Sequence, residues 1–180
     1  MLADSNQSDS AAIEKLLKNP QKANAALGSG KAQAMLESQY REYIYLPSAR
    51  RAFREFFVSI SQADQLPALL HCTAGKDRTG WATAALLTLF KVPKEKIMED
   101  YLRSNEYDLV RYRGITDAFV AAGGEESIPL AIFGAKPEYL NAAFDEMQKR
   151  YGTIENYFSQ GLGIDSAAQN ALRSLYLDED

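Results

Sequence analysis

Residues 71–80, "HCTAGKDRTG", hold the only histidine and the only cysteine of the 180-residue chain, His71 and Cys72. The apolar run Leu66-Pro67-Ala68-Leu69-Leu70 leads into them, and a second apolar run, Trp81 to Phe90, leads out. An apolar strand, a glycine-containing loop and then a helix start make an anion site. Loop N–H groups converge on one point, and the helix dipole adds partial positive charge there. A thiol at the head of such a loop loses its proton easily. Arg78 supplies a planar fork that can grip two phosphate oxygens. Gly75 permits a loop conformation that a side chain would block, and the Thr79 hydroxyl can donate a hydrogen bond to the thiolate. Together these parts suit nucleophilic attack on a phosphoryl group, with a phosphocysteine intermediate.

Rival chemistries fit less well. "GKDRT" contains the Gly-Lys pair of a nucleotide-binding loop, but Asp77 stands after Lys76 where that motif needs Ser or Thr. One histidine, placed beside the cysteine, argues against a separate Ser-His-Asp triad. A sulfur transferase is disfavoured by the Arg-Thr-Gly continuation. The residues leave several roles open. Cys72 could be an inert core thiol. His71 is expected to orient the loop through a side-chain hydrogen bond rather than act as a base. Lys76 is either a solvated loop cation or a charge aimed at the substrate. Asp77 is either the proton donor to the leaving group or a structural carboxylate paired with a nearby cation. Asp100 and Asp108 are alternative acids.

The stretch resembles the signature of cysteine-based phosphatases, His-Cys-x5-Arg-Ser/Thr. More narrowly, it is similar to the bacterial tyrosine phosphatases with a lipid-phosphatase-like loop. The likeness continues in "VPKEKIMEDYLRSNEY" and "PEYLNAAFDEMQKRYGTIENYFSQGLGID", and covers roughly residues 35 to 177. The resemblance implies that Cys72 is the nucleophile and that Arg78 binds phosphate. It implies a cradle of backbone N–H groups over residues 73–78, with Thr73, Ala74, Gly75, Lys76 and Thr79 as substrate-binding positions. It makes Asp77 the suspected acid and Lys76 a contact to polyanionic head groups. Phosphotyrosine, with phosphoserine, phosphothreonine and phosphoinositides as further esters, would be the substrates, and no metal or other cofactor is expected. The alternative is a phosphate-site binding module that has lost turnover.

The elements that must position these residues read as mostly helical. Phe53, Phe56, Phe57 and Ile60 form one buried face of a helix after Pro47, with Ser48 as a candidate cap. Leu66 to Cys72 reads as a buried strand. Thr79 to Phe90 is apolar or small on nearly every side, so that helix should be central. Pro93 suits the first turn of the next helix. Pro137 opens another, with Leu140, Ala143, Phe144, Met147 and Tyr151 as its stripe and Gly152 as its end. Thr153 and Asp165 are candidate caps for two final helices. Residues 1–10 look solvated and loose, and the segment from Arg111 to Pro137 is the least readable.

Composition bounds the class. With 46% hydrophobic and 24% charged residues the chain is an ordinary globular one. A net charge of −4 supplies no basic field for nucleic acid. No apolar run is long enough to span a bilayer, and "MLADSNQSDS" lacks the basic-then-apolar pattern of a signal peptide. Cytoplasm and secretion both stay open. The expected fold is α/β, a cysteine-phosphatase fold in which this chain is mostly helical with few strands. Residues 1–35 read as an N-terminal helical or loose segment and 36–180 as the catalytic domain. A strand feeding a phosphate loop belongs to a sheet. Only Leu66 to His71, with Tyr43-Ile44-Tyr45-Leu46 as a weaker candidate, could supply one. The chain is therefore expected to lack part of the N-terminal sheet, which a missing segment or a second chain would complete.

Overall fold

The computed structural model describes residues 15–177; the expected loose segment 1–10 lies outside the described residues. Among the described residues ten helices of seven residues or more follow in order: α1 (Pro20–Leu27), α2 (Lys31–Tyr45), α3 (Pro47–Ile60), α4 (Asp77–Leu89), α5 (Lys94–Leu102), α6 (Ser104–Arg111), α7 (Arg113–Ala121), α8 (Ser127–Phe133), α9 (Pro137–Tyr151) and α10 (Ser166–Tyr176). A short turn, Ile154–Asn156, and one wide π-type turn, Tyr157–Gly161, join α9 to the last helix.

The centre is a pair of fifteen-residue helices, α2 and α9, packed along each other. On α2 the buried residues Leu36, Tyr40, Tyr43 and Ile44 recur at helical spacing. On α9 Leu140, Ala143, Phe144 and Met147 are buried as the sequence stripe requires. Helix α4 crosses both. Its Trp81 is fully buried, edge-on to Phe144 and Tyr157, and its indole N–H donates to the Tyr157 hydroxyl at 3.2 Å. Helix α3 contributes Phe53, Phe57 and Ile60 to the same core, with Phe56 packed partly buried against it. A smaller cluster, in which Leu17, Ala23, Leu27, Phe119 and Ile128 meet, lies under α1, α7 and α8. Helix α2 runs unbroken through residues 35 and 36.

Chain signals set most helix ends. Pro137 is the first residue of α9, and Gly152 ends it at φ +77°, a backbone that side chains rarely adopt. The Thr153 hydroxyl accepts from Asn156 N–H at 3.1 Å, and the Asp165 carboxylate accepts from Ala168 N–H at 2.9 Å. Two ends differ from expectation. Helix α3 begins at Pro47 itself, with Leu46 rather than Ser48 at the cap position, because the fixed φ of proline suits the first helical position. Pro93 sits at the cap of α5 and not inside its first turn. The segment that read least clearly forms α7 and α8, with Gly123 at φ +88° between them.

The strand expectations are corrected. No strand occurs among the described residues. Tyr43 to Tyr45, read as a weak strand, is the last turn of α2. Leu66 to His71 is non-helical, but it is not buried: Pro67, Ala68 and His71 are exposed, and Leu69 is 88% exposed. The reason is physical. An apolar strand is buried by neighbours that pair its N–H and C=O groups, and the described residues offer a helical body with no sheet to join. Only Leu70 reaches the core, where it packs against the main cluster.

Candidate active site

The loop from His71 to Lys76 leads directly into α4, whose first residue is Asp77. Gly75 has φ +81°, in the left-handed region that favours glycine. The N–H groups of residues 73–79 donate to no backbone carbonyl among the described residues. They are the orphan donors of a thirteen-residue helix and the turn before it, and those of Gly75 and Thr79 are directed at the Cys72 sulfur. Cys72 is half-buried and unpaired. Burial pushes its thiol up, but the Thr79 hydroxyl, the two N–H groups and the Arg78 charge together outweigh burial and hold it below the ordinary thiol value. The Thr79 hydroxyl oxygen is itself buried and has no nitrogen or oxygen partner among the described residues. The acceptor it faces is the Cys72 sulfur.

Arg78 donates from Nη2 to the Thr73 hydroxyl at 2.9 Å, tying the start of the loop to its end. Ala74 is half-buried between them. Lys76 is not a solvated cation: it is 2% exposed, and its Nζ lies 2.7 Å from Oδ1 of Asp77. Asp77 therefore carries a cation partner, the feature of the structural reading, while remaining at the mouth of the loop. His71 is exposed and makes no side-chain hydrogen bond among the described residues, so the expected loop-orienting bond is absent here.

Asp100 and Asp108 fall on different helices. Asp100 lines a cavity of about 260 Å³ beside the loop, shared with Lys76, Thr79, Arg103 and Tyr107. Asp108 is buried; desolvation pushes its carboxyl up, with the Lys76 charge opposing that shift. A second cavity of about 170 Å³ opens at Cys72 and Arg78, walled by Phe53, Phe56 and Leu70. Among the described residues no group of three or more His, Cys, Asp or Glu side chains gathers at one point.

Sequence reasoning missed three residues. Tyr40, Tyr43 and Tyr101 sit under the loop as part of the core. The Tyr40 hydroxyl donates to Oδ1 of Asp77 at 2.9 Å and lies 2.7 Å from the Tyr101 hydroxyl. Burial, and then the Asp77 charge, push the Tyr40 phenol well up. Tyr43 is raised for the same two leading reasons, with Arg78 opposing. In the sequence Tyr43 falls within the weak strand candidate, and no local pattern reveals what a tyrosine hydroxyl meets 37 or 61 positions along the chain.

Comparison with known proteins gives the chain a family. The profile of the tyrosine phosphatase family matches residues 5–178. The chain is 29% identical, over 197 aligned positions, to the triple specificity protein phosphatase PtpB of Mycobacterium tuberculosis, covering 98% of this chain and 70% of that protein. It is 30% identical over 128 positions to a Cupriavidus necator protein assigned by name to the tyrosine-protein phosphatases, covering 71% of this chain and 45% of that one. A tyrosine-protein phosphatase of Nostoc commune is 40% identical over 63 positions, which span 35% of this chain and 21% of the relative. A thiol held acidic at the head of a helix-capping loop, six residues before an arginine, thus occurs in a chain that belongs, along nearly its whole length, to the tyrosine phosphatase family.

Proposed function

We propose that this chain hydrolyses phosphotyrosine monoesters through a phosphocysteine intermediate. The observation that carries the reading is the Cys72 thiol, lowered against its own burial by the hydroxyl, N–H groups and guanidinium around it. The same donors suit a phosphoryl group. Its oxygens would take the N–H groups of residues 73–78 and the Arg78 fork. The Cys72 thiolate attacks phosphorus, the P–O bond to the tyrosyl oxygen breaks, and the phosphoryl group moves to sulfur. The departing oxygen needs a proton, for which Asp77 is the nearest carboxyl in the loop. Water then attacks phosphorus and frees the thiolate.

The name of the mycobacterial relative speaks of triple specificity. Carried over to this chain, it supports a range wider than phosphotyrosine, in which phosphoserine and phosphothreonine rest on the loop resemblance. Phosphoinositides rest on the loop resemblance and on Lys76; the burial of Lys76 against Asp77 supports the phosphoprotein side of that range. The sheet expected of this fold is part of the same proposal. Leu66 to His71 is apolar and non-helical, with Pro67, Ala68, Leu69 and His71 exposed, which leaves that side open to a strand supplied from outside residues 15–177 or by another chain.

The test is hydrolysis of para-nitrophenyl phosphate and of a phosphotyrosyl peptide, inhibited by vanadate. Turnover by the parent, its loss in Cys72→Ser with ester binding retained, and phosphocysteine trapped only in the parent are expected. Ester binding without turnover in the parent would favour a phosphate-site binding module instead.

A further inference from the structure

We propose that Tyr40 is a positioning residue for this reaction: its hydroxyl fixes the Asp77 carboxyl so that Oδ2 is the oxygen that delivers the proton. The inference rests on the phosphatase reading above.

The argument is a count of protons and lone pairs. Asp77 receives two donors, the Tyr40 hydroxyl at 2.9 Å and Lys76 Nζ at 2.7 Å, and both fall on Oδ1. Among the described residues Oδ2 has no hydrogen-bond partner. Both donors favour the ionised carboxylate that the reaction leaves behind; when the carboxyl carries its proton it does so on one oxygen only, and Oδ1, already accepting from an ammonium and a phenol, is the poorer place for it. Tyr40 has a single hydrogen and spends it on Asp77. The 2.7 Å contact between the Tyr40 and Tyr101 oxygens must then use the Tyr101 hydrogen. The chain Tyr101 O–H to Tyr40 O to Asp77 Oδ1 runs one way.

The support behind this chain is rigid. Tyr40 is fully buried, and its ring lies 5.2 Å from that of Tyr43 and 5.7 Å from that of Tyr139, centroid to centroid. Tyr101 is 4% exposed. Burial, first among the causes, raises both phenols, so each stays a donor over the range in which a phosphatase is assayed. In the reaction the O–H bond at Oδ2 breaks as the P–O bond breaks. The proton passes to the leaving oxygen, which keeps the P–O electron pair, and Asp77 is left ionised on Lys76 and Tyr40.

The experiment compares phenyl phosphate, a poor leaving group, with para-nitrophenyl phosphate, a good one. In Tyr40→Phe, kcat for phenyl phosphate should fall about tenfold, a fraction of the usual worth of a positioned acid. For the nitrophenyl ester it should change far less, and KM should hold for both. In an Asp77→Asn background Tyr40→Phe should add nothing. An equal fall for both esters, no fall, or an undiminished fall in the Asp77→Asn background overturns the proposal. Should Tyr40→Phe not fold by circular dichroism, Tyr101→Phe decides by the same criteria, with a smaller effect of the same pattern. These results are distinct from failure of the phosphatase reading, which would appear as a parent without turnover or as turnover that survives Cys72→Ser, and which would overturn both.

Discussion

At the scale of single residues, the chemistry depends on how a half-buried sulfur is made acidic. Burial alone would protonate it. The Thr79 hydroxyl is the leading opposing group, and it is buried with no other partner. Thr79→Val, which keeps shape and removes the hydroxyl, should therefore move the pH midpoint of iodoacetamide alkylation upward, toward the ordinary thiol range. It should also lower thermal stability where Cys72 is ionised, since the hydroxyl's bond to the thiolate is then lost, and change it little below the lowered thiol pKa. An unmoved midpoint would show that the N–H groups and Arg78 suffice. The sign of the wider pH dependence follows from the lowered thiol. Because the folded value lies below the unfolded one, the stabilisation from ionised Cys72 is present above the ordinary thiol pKa. It is lost as pH falls through the lowered value. Turnover that needs the thiolate falls in the same acidic direction.

At the scale of elements, the site depends on how closely α4 approaches α5. Gly80 is the fourth residue of α4, and a Cβ there would lie 2.8 Å from Cδ2 of the Tyr101 ring. Tyr101 is buried and cannot swing into solvent. Gly80→Ala should thus gain helix propensity yet lose about 1–3 kcal/mol through overpacking, read as a lower melting temperature. It should also disturb the tyrosine chain to Asp77, so phenyl phosphate turnover should suffer more than that of the nitrophenyl ester. A stabilised Gly80→Ala would mean that the two helices part without cost. The sequence contained the glycine, in Arg-Thr-Gly, but not the ring it faces: that contact joins residues 21 positions apart on helices joined by a turn.

At the scale of the whole molecule, the open question of the fold is the exposed run before the loop. In the helical body described here Leu69 is 88% exposed. Leu69→Lys should leave stability within about 0.5 kcal/mol of the parent in this chain alone, checked by chemical denaturation. Hydrogen exchange should find the amides of residues 68–71 unprotected. Strong protection there, or a large loss of stability on substitution, would show that a strand from the chain itself or from a second copy covers them. Sedimentation at increasing concentration separates those two sources.

The sequence by itself determined many of the helices and the local spacing of the candidate site residues. Stripes such as Leu140, Ala143, Phe144 and Met147 bury one face of a helix wherever it docks. Thr153 and Asp165 cap because their oxygens need only reach N–H groups three residues on. The spacing from Cys72 to Arg78 is likewise local, set by one loop and one turn of helix. What only the tertiary structure decided are the facts that depend on partners far along the chain. Lys76 is a buried ion-pair partner because Asp77 and the surrounding helices enclose it. Tyr40 is a hydrogen-bond donor to the loop because α2 runs beneath it. Leu66 to His71 reads as a buried strand because burial and alternation look alike in a short apolar run. Whether such a run is covered depends on neighbours to pair with, and a local sequence does not contain its neighbours.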